Sequence, residues 1–191
     1  MARLLAVLAG ASDGPGRVDA VQVRAKQPSD RDVVAWTREL VTELRPRGTR
    51  VIVNDRLDLA LAAGAHGVHL GRNDLRVVDA RAIVPDGFLV GATCRSPEQA
   101  AQARAEGADY AGVGPVHATT SKSGLPDPLG LDVLAATARK IPAIAIGGIT
   151  ASRVRDVMAA GAYGVAVVAA VWNHPDPPRA AREIAEFVHA A

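Results

Sequence analysis

The chain has 191 residues, 22 of them Lys or Arg and 20 Asp or Glu, for a net charge of +2, which is one domain by length and enough to bury a sizeable core without staples. Hydrophobic residues make up 49% and aromatics only 3%, so the core is Val, Ile, Leu and Ala, the composition of buried parallel strands under Ala-rich helices. Balanced charge without a Lys/Arg run speaks against nucleic acid, and no stretch reaches the ~20 apolar residues of a membrane span; a single cysteine, Cys94, excludes an internal disulfide and makes a reducing, cytoplasmic setting the default.

The first apolar run, Leu4–Leu8, is followed by small residues as a secretory leader would be. It is short, and one basic residue precedes it, so a first strand is expected instead. Apolar runs then recur near residues 18–24, 50–53, 66–70, 88–91, 109–113, 143–146 and 164–168, which with 3–8 makes eight strands. Helical signals alternate with them. Ser29 with Asp32 reads as a capping box for a helix to about Arg45, stopped by Pro46 and Gly48. Ser96-Pro97-Glu98-Gln99 orders a cap, a first-turn proline and a capping-box glutamine. Thr150 or Ser152 starts a further helix, and Pro177-Pro178 opens the last.

Three joints repeat: Gly64-Ala65-His66-Gly67-Val68, Gly107-Ala108-Asp109-Tyr110-Ala111 and Gly161-Ala162-Tyr163-Gly164-Val165 each close a helix and open a strand. Glycine past a helix end suits a left-handed cap, and recurrence of one joint implies repeated βαβ units. The expectation is a single α/β domain over 1–191, a (β/α)8 TIM barrel. Only Ala9–Arg17 separate the first two strands, too few for an ordinary crossover, so the first helix is expected to be abbreviated or missing.

Each notable polar cluster follows an apolar run. In a βα barrel all strands end at one rim, so such clusters converge into one site. Gln22, Arg24 and Lys26 alternate and share a side, where two cations call for an anion; the plainer reading is a solvated strand end. Asn54-Asp55 and Asp74 place two carboxylates on adjacent strand ends, which with a phosphate suggest Mg²⁺; the plainer reading makes each an N-cap. Thr119, Thr120, Ser121 and Lys122 offer hydroxyls and a point charge to a phosphate or carboxylate. Gly147-Gly148 exposes backbone amides before a helix, an anion site of late barrel strands. Together they predict a two-anion site for small phosphorylated substrates, with the oligomeric state open, a homo-oligomer included. His117 is either an acid/base or a solvated loop residue, and Cys94, with no adjacent base, reads as small and buried.

The set Gln22-Val23-Arg24-Ala25-Lys26, Val53-Asn54-Asp55-Arg56-Leu57-Asp58-Leu59-Ala60, Gly67-Val68-His69-Leu70-Gly71-Arg72-Asn73-Asp74, Ala108-Asp109-Tyr110 with Gly112-Val113-Gly114-Pro115, Thr119–Lys122 and Ala145-Ile146-Gly147-Gly148-Ile149 resembles the thiamine phosphate synthase family, in order and over almost the whole chain. The resemblance includes the family's thiazole tautomerase branch. It implies condensation of hydroxymethylpyrimidine diphosphate with a thiazole phosphate to thiamine monophosphate and pyrophosphate. It implies that Gln22, Arg24, Lys26, Asn54, Thr93 and Lys122 hold the pyrimidine diphosphate, with Arg24, Lys26 and Lys122 catalytic. Asp55 and Asp74 would hold Mg²⁺. Thr119, Thr120, Ser121, Gly147, Gly148 and the backbone of Val168 and Ala169 would hold the thiazole phosphate. The family pattern is departed from at Ala25, Thr93, His117-Ala118 and Ala169. Tautomerisation and binding without turnover are the competing expectations.

Overall fold

The computed structural model of the chain describes residues 18–25, 28–119, 124 and 126–190. The expected strand 3–8 and the short link 9–17 lie outside them. Seven strands follow in chain order among the described residues: β1 (Ala20–Val23), β2 (Arg50–Asn54), β3 (Gly67–Leu70), β4 (Leu89–Cys94), β5 (Tyr110–Val113), β6 (Ala143–Ile146) and β7 (Gly164–Ala166). Each is hydrogen-bonded to the next and every pairing is parallel. Sequential parallel order is the barrel arrangement, in which all strand ends face one rim. The helices between them are α1 (Asp30–Leu44), α2 (Leu57–Ala63), α3 (Val77–Arg81), α4 (Pro97–Ala105), α5 (Gly130–Ala138) and α6 (Ala151–Ala159), with α7 (Ala169–Trp172) and α8 (Pro177–His189) after β7. His189 of α8 lies 2.8 Å from the Asp19 carboxylate just before β1, so the sheet curls until its last helix meets its first strand.

Alternation in the strands separates two faces. Val21, Val23 and Val51 pack with Val33, Leu40, Val41 and Leu44 of α1; Val68, Val90, Ala111 and Ala143 belong to the larger cluster beneath the other helices. Fully burying a Leu such as Leu40 contributes roughly 1.5–3 kcal/mol. The intervening positions, Gln22, Asn54, His69, Gly91, Thr93, Tyr110 and Gly112, therefore face the barrel interior.

The helix signals hold in detail. Ser29 accepts the Asp32 N–H while Asp32 accepts the Ser29 N–H, a complete capping box. The helix ends in a 3₁₀ turn at Arg45–Arg47, with Gly48 left-handed. Ser96 caps α4, but the Gln99 side chain accepts from the Arg95 N–H at 2.7 Å rather than from the cap itself, so the box is one residue out of register. Thr150, not Ser152, is the cap position of α6, and Pro177 opens α8 with the Asp176 side chain accepting from the Arg179 N–H. Gly64, Gly107 and Gly161 have φ of 69, 98 and 87°, the left-handed joint expected three times over.

Two strand boundaries move. β4 runs on to Cys94, so Ala92 and Thr93 lie within it instead of beyond it. β7 stops at Ala166, which leaves Val168 in the turn into α7. At the opposite rim Arg81 donates to the Phe88 and Gly107 carbonyls and pairs with Asp109, whose carboxylate also accepts from Val90 N–H. That rim ties strands together and is separate from the polar exits.

Candidate active site

The β2 exit carries a backbone outlier. Asp55 has a φ of 66°, the sole non-glycine residue in the left-handed region among those described. Such a conformation costs on the order of 1 kcal/mol and persists only where surroundings enforce it. Here the Asp55 N–H donates to the His69 carbonyl at 2.8 Å, and Arg56 N–H donates to the Asn54 carbonyl. Neither Asp55 nor Asp74 is a helix cap: the cap positions of α2 and α3 are Arg56 and Arg76. Arg56 is instead held between Asp30 and Asp58, both carboxylates within 3.0 Å, which raises its guanidinium above the usual range and keeps Asp58 below the usual carboxylate range.

The two carboxylates converge. Asp74 accepts the Gly71 N–H at 2.6 Å. A Cβ on Gly71 would stand 2.9 Å from Asp74 Oδ2 and 3.9 Å from Asp55 Oδ1, so both side chains look onto one glycine. No group of three or more His, Cys, Asp or Glu side chains among the described residues could cage a metal. Two carboxylates beside a phosphate subsite are the donor set that Mg²⁺ takes, with substrate and water completing its shell. The pair fits that ion.

Inside the barrel, the register aligns Asn54, His69, Gly91 and Tyr110 across β2–β5. The His69 and Tyr110 rings stack at 5.6 Å. His69 Nδ1 lies 3.3 Å from the Tyr110 hydroxyl and Nε2 lies 3.0 Å from Thr93 Oγ1. Burial among the strands lowers the imidazole from 6.5 to about 4, partly opposed by the Asp74 charge, so the ring is neutral near pH 7. Burial also raises the Tyr110 phenol above its ordinary value. Glycines make the room: a Cβ at Gly91 would fall 2.1 Å from Tyr110 Cζ, and one at Gly112 would fall 2.7 Å from His69 Cε1. His69 and Tyr110 carry no role in the sequence reading. No local signal pairs them, because the two rings meet only through strand register.

Gln22 and Arg24 are exposed at the β1 end, on the side away from the α1 core. Lys26, Thr120, Ser121 and Lys122 lie outside the described residues. Thr119 is half-buried. The loop leading to it packs on the β6 exit, with Val116 N–H donating to the Ile146 carbonyl and His117 N–H to the Gly147 carbonyl. Gly147 and Gly148 have φ of 92 and 66°. A side chain on Gly147 would strike Pro115, and one on Gly148 would strike the Ala118 carbonyl. These glycines thus serve loop packing as well as any anion. Val168 and Ala169 are exposed at the β7 exit.

His117 is half-buried, and its Nε2 has no hydrogen-bond partner among the described residues. Burial and then the Arg153 charge hold it below the usual imidazole value, so it is not simply a solvated loop residue. Cys94 is buried and its thiol is pushed up to about 11 by desolvation, which leaves it inert. Arg95, unassigned in sequence, donates to the Gly114 carbonyl at 2.8 Å and the Asp127 carbonyl at 2.9 Å, joining the two feet of the long loop after β5.

Strand order and polar exits define a parallel βα barrel with one multi-loop polar site at the C-terminal rim. The family model described as thiamine monophosphate synthase matches residues 1–171, and the chain belongs to that family. Among its relatives, a thiamine-phosphate synthase of Methanoculleus marisnigri is 48% identical over 181 residues, covering 92% of this chain and 84% of the relative. One of Salinispora arenicola is also 48% identical, covering 89% and 82%. The solved thiamine phosphate pyrophosphorylase of Pyrococcus furiosus superposes with a TM-score of 0.86 at 33% identity, over 97% of this chain and 89% of that one. No helix among the described residues is long and apolar enough to cross a membrane.

Proposed function

We propose that the chain is a transferase that joins hydroxymethylpyrimidine diphosphate to a thiazole phosphate, giving thiamine monophosphate and pyrophosphate. The observation that carries this is the convergence of Asp55 and Asp74 on Gly71, beside the strand ends bearing Gln22, Arg24 and Asn54. Membership of the synthase family supports the same reaction.

In the reaction the bond from the pyrimidine methylene carbon to the diphosphate oxygen breaks, and its electron pair leaves with pyrophosphate. The thiazole nitrogen lone pair then forms the new carbon–nitrogen bond. Negative charge grows on the leaving group, and Arg24, Lys26 and Lys122 stabilise it as it grows. Mg²⁺ held by Asp55 and Asp74 would add a Lewis acid at those oxygens. Gln22, Asn54 and Thr93 bind and orient the pyrimidine diphosphate. Thr119–Ser121, with the amides of Gly147, Gly148 and the β7 exit, hold the second phosphate, so that the two reacting atoms start close together. No protein nucleophile takes part.

The tautomerase reading is favoured by one observation, the imidazole of His117 beside Gly148, whose Nε2 has no hydrogen-bond partner among the described residues and which burial holds below the usual imidazole value. It gives Gln22 and Arg24 no task. Calorimetry separates the two. Pyrophosphate with Mg²⁺ should bind, weaken on Arg24→Ala, and leave room for a thiazole phosphate to bind at the same time. Competition between the ligands, or no Mg²⁺-dependent binding, overturns the synthase reading. Activity lost on His117→Ala with Arg24→Ala silent establishes the isomerase.

A further inference from the structure

We propose that Tyr110 and His69 form a relay that fixes the Thr93 hydroxyl as a hydrogen-bond donor into the site, which makes the two rings positioning residues for the pyrimidine diphosphate; the ligand, though not the relay, rests on the reading above. Tyr110 Oη lies 3.3 Å from His69 Nδ1, and Thr93 Oγ1 lies 3.0 Å from Nε2 of the same ring. A neutral imidazole has one N–H and one acceptor nitrogen, so the sense of one bond sets the other. If Tyr110 donates to Nδ1, then Nε2–H donates to Thr93, whose own proton is left for a ligand. In the opposite sense Thr93 donates to the ring, the ring donates to Tyr110, and the phenol proton needs a further acceptor.

Among the described residues Tyr110 Oη makes no other hydrogen bond. The first sense satisfies every group of the relay within the protein, whereas the second leaves a half-buried phenol proton without a protein acceptor, the costlier arrangement. Sterics hold the rings where they are. A Cβ added at Gly91 would fall 2.1 Å from Tyr110 Cζ and one at Gly112 would fall 2.7 Å from His69 Cε1, so only glycine at these two positions leaves the rings in place. A threonine hydroxyl that would otherwise rotate among staggered wells thus meets the ligand with its donor already set. The acceptor it addresses is a ring nitrogen or a diphosphate oxygen of the pyrimidine substrate.

Two measurements test this on the full chain. Nitrogen-15 NMR of labelled histidine reads the His69 tautomer without any substrate: Nε2–H with unprotonated Nδ1 is expected, and Nδ1–H overturns the relay. The second is a double-mutant cycle on KM for the pyrimidine diphosphate. Tyr110→Phe should raise KM about three- to tenfold with KM for the thiazole phosphate unchanged. The same change in a Thr93→Val background should have no further effect, and Thr93→Ser should restore the sensitivity. Additive effects of Tyr110→Phe and Thr93→Val, with both variants folded by circular dichroism, overturn it. A wild-type chain without turnover would sink the proposed reaction, and the tautomer would still decide the relay.

Discussion

The Asp55 N–H donates to the His69 carbonyl at 2.8 Å, and this bond joins the two halves of the site. On one side it holds Asp55 in its left-handed turn, with the carboxylate swung toward Gly71. On the other it anchors the strand residue whose imidazole reaches Thr93. The carboxylate pair and the interior ring pair therefore share one backbone link, and a shift of β2 against β3 would disturb both.

Asp55→Asn and Asp74→Asn should each lower Mg²⁺-dependent pyrophosphate release by at least about a hundredfold, because each takes a charged ligand from a two-carboxylate set. Asp55→Gly should do the same while thermal stability stays level or rises, since glycine adopts a φ of 66° without strain. Release assays against Mg²⁺ concentration, paired with thermal melts, check both. Retained turnover at unchanged Mg²⁺ dependence would remove the metal assignment.

Gly112→Ala should destabilise the fold by about 1–3 kcal/mol, the range for overpacking a filled core. The added methyl would sit 2.7 Å from His69 Cε1, and the ring cannot swing away without losing its contacts to Thr93 and Tyr110. Gly64→Ala has nothing within 4 Å and should cost only the strain of its φ of 69°, roughly 1 kcal/mol. Urea unfolding of the two variants ranks them; equal losses would mean that the interior is less tightly filled than the geometry implies.

Acid should weaken the fold between about pH 6.5 and pH 4. An unfolded His69 takes a proton near 6.5, while the folded ring refuses it until about 4. In that window the unfolded state binds more protons, so stability is present in full above 6.5 and falls as pH drops. The shift corresponds to roughly 3 kcal/mol. His66 acts in the same direction: desolvation lowers its pKa, and its Nδ1 accepts from the Val51 N–H at 3.0 Å, a bond lost on protonation. Denaturant midpoints against pH, compared with those of His69→Gln, isolate the His69 share as a reduced slope.

Lys122→Ala should cost more in turnover than in ground-state binding of the pyrimidine diphosphate. An ammonium beside a leaving group gains most when charge has accumulated there. Direct binding together with single-turnover kinetics measures the two losses. A defect confined to affinity would place Lys122 in recognition and not in the chemical step.

Much of the fold was legible because its signals are local. A capping box such as Ser29–Asp32 is complete within four residues, and a glycine after a helix, as at 64, 107 and 161, reports a conformation that few other residues adopt. The gathering of Asp55 and Asp74 followed from the rim rule alone. The relay was not legible, since Thr93, His69 and Tyr110 meet only through strand register, and the extension of β4 to Cys94 turned Thr93 from an exit residue into an interior one. Arg95 was missed for a like reason, because its acceptors are backbone carbonyls, which sequence does not mark.

That guanidinium has a consequence for how such a barrel can diversify. By gripping the Gly114 and Asp127 carbonyls together, Arg95 sets the span that the intervening chain must bridge, whatever its length. Lengthening a closed loop adds only about 0.6 kcal/mol per doubling. Insertions or deletions between the two feet would therefore leave the barrel scaffold's stability almost untouched while reshaping the wall against which a substrate is measured, so this is where new ligand preferences could be acquired without redesigning the body of the protein.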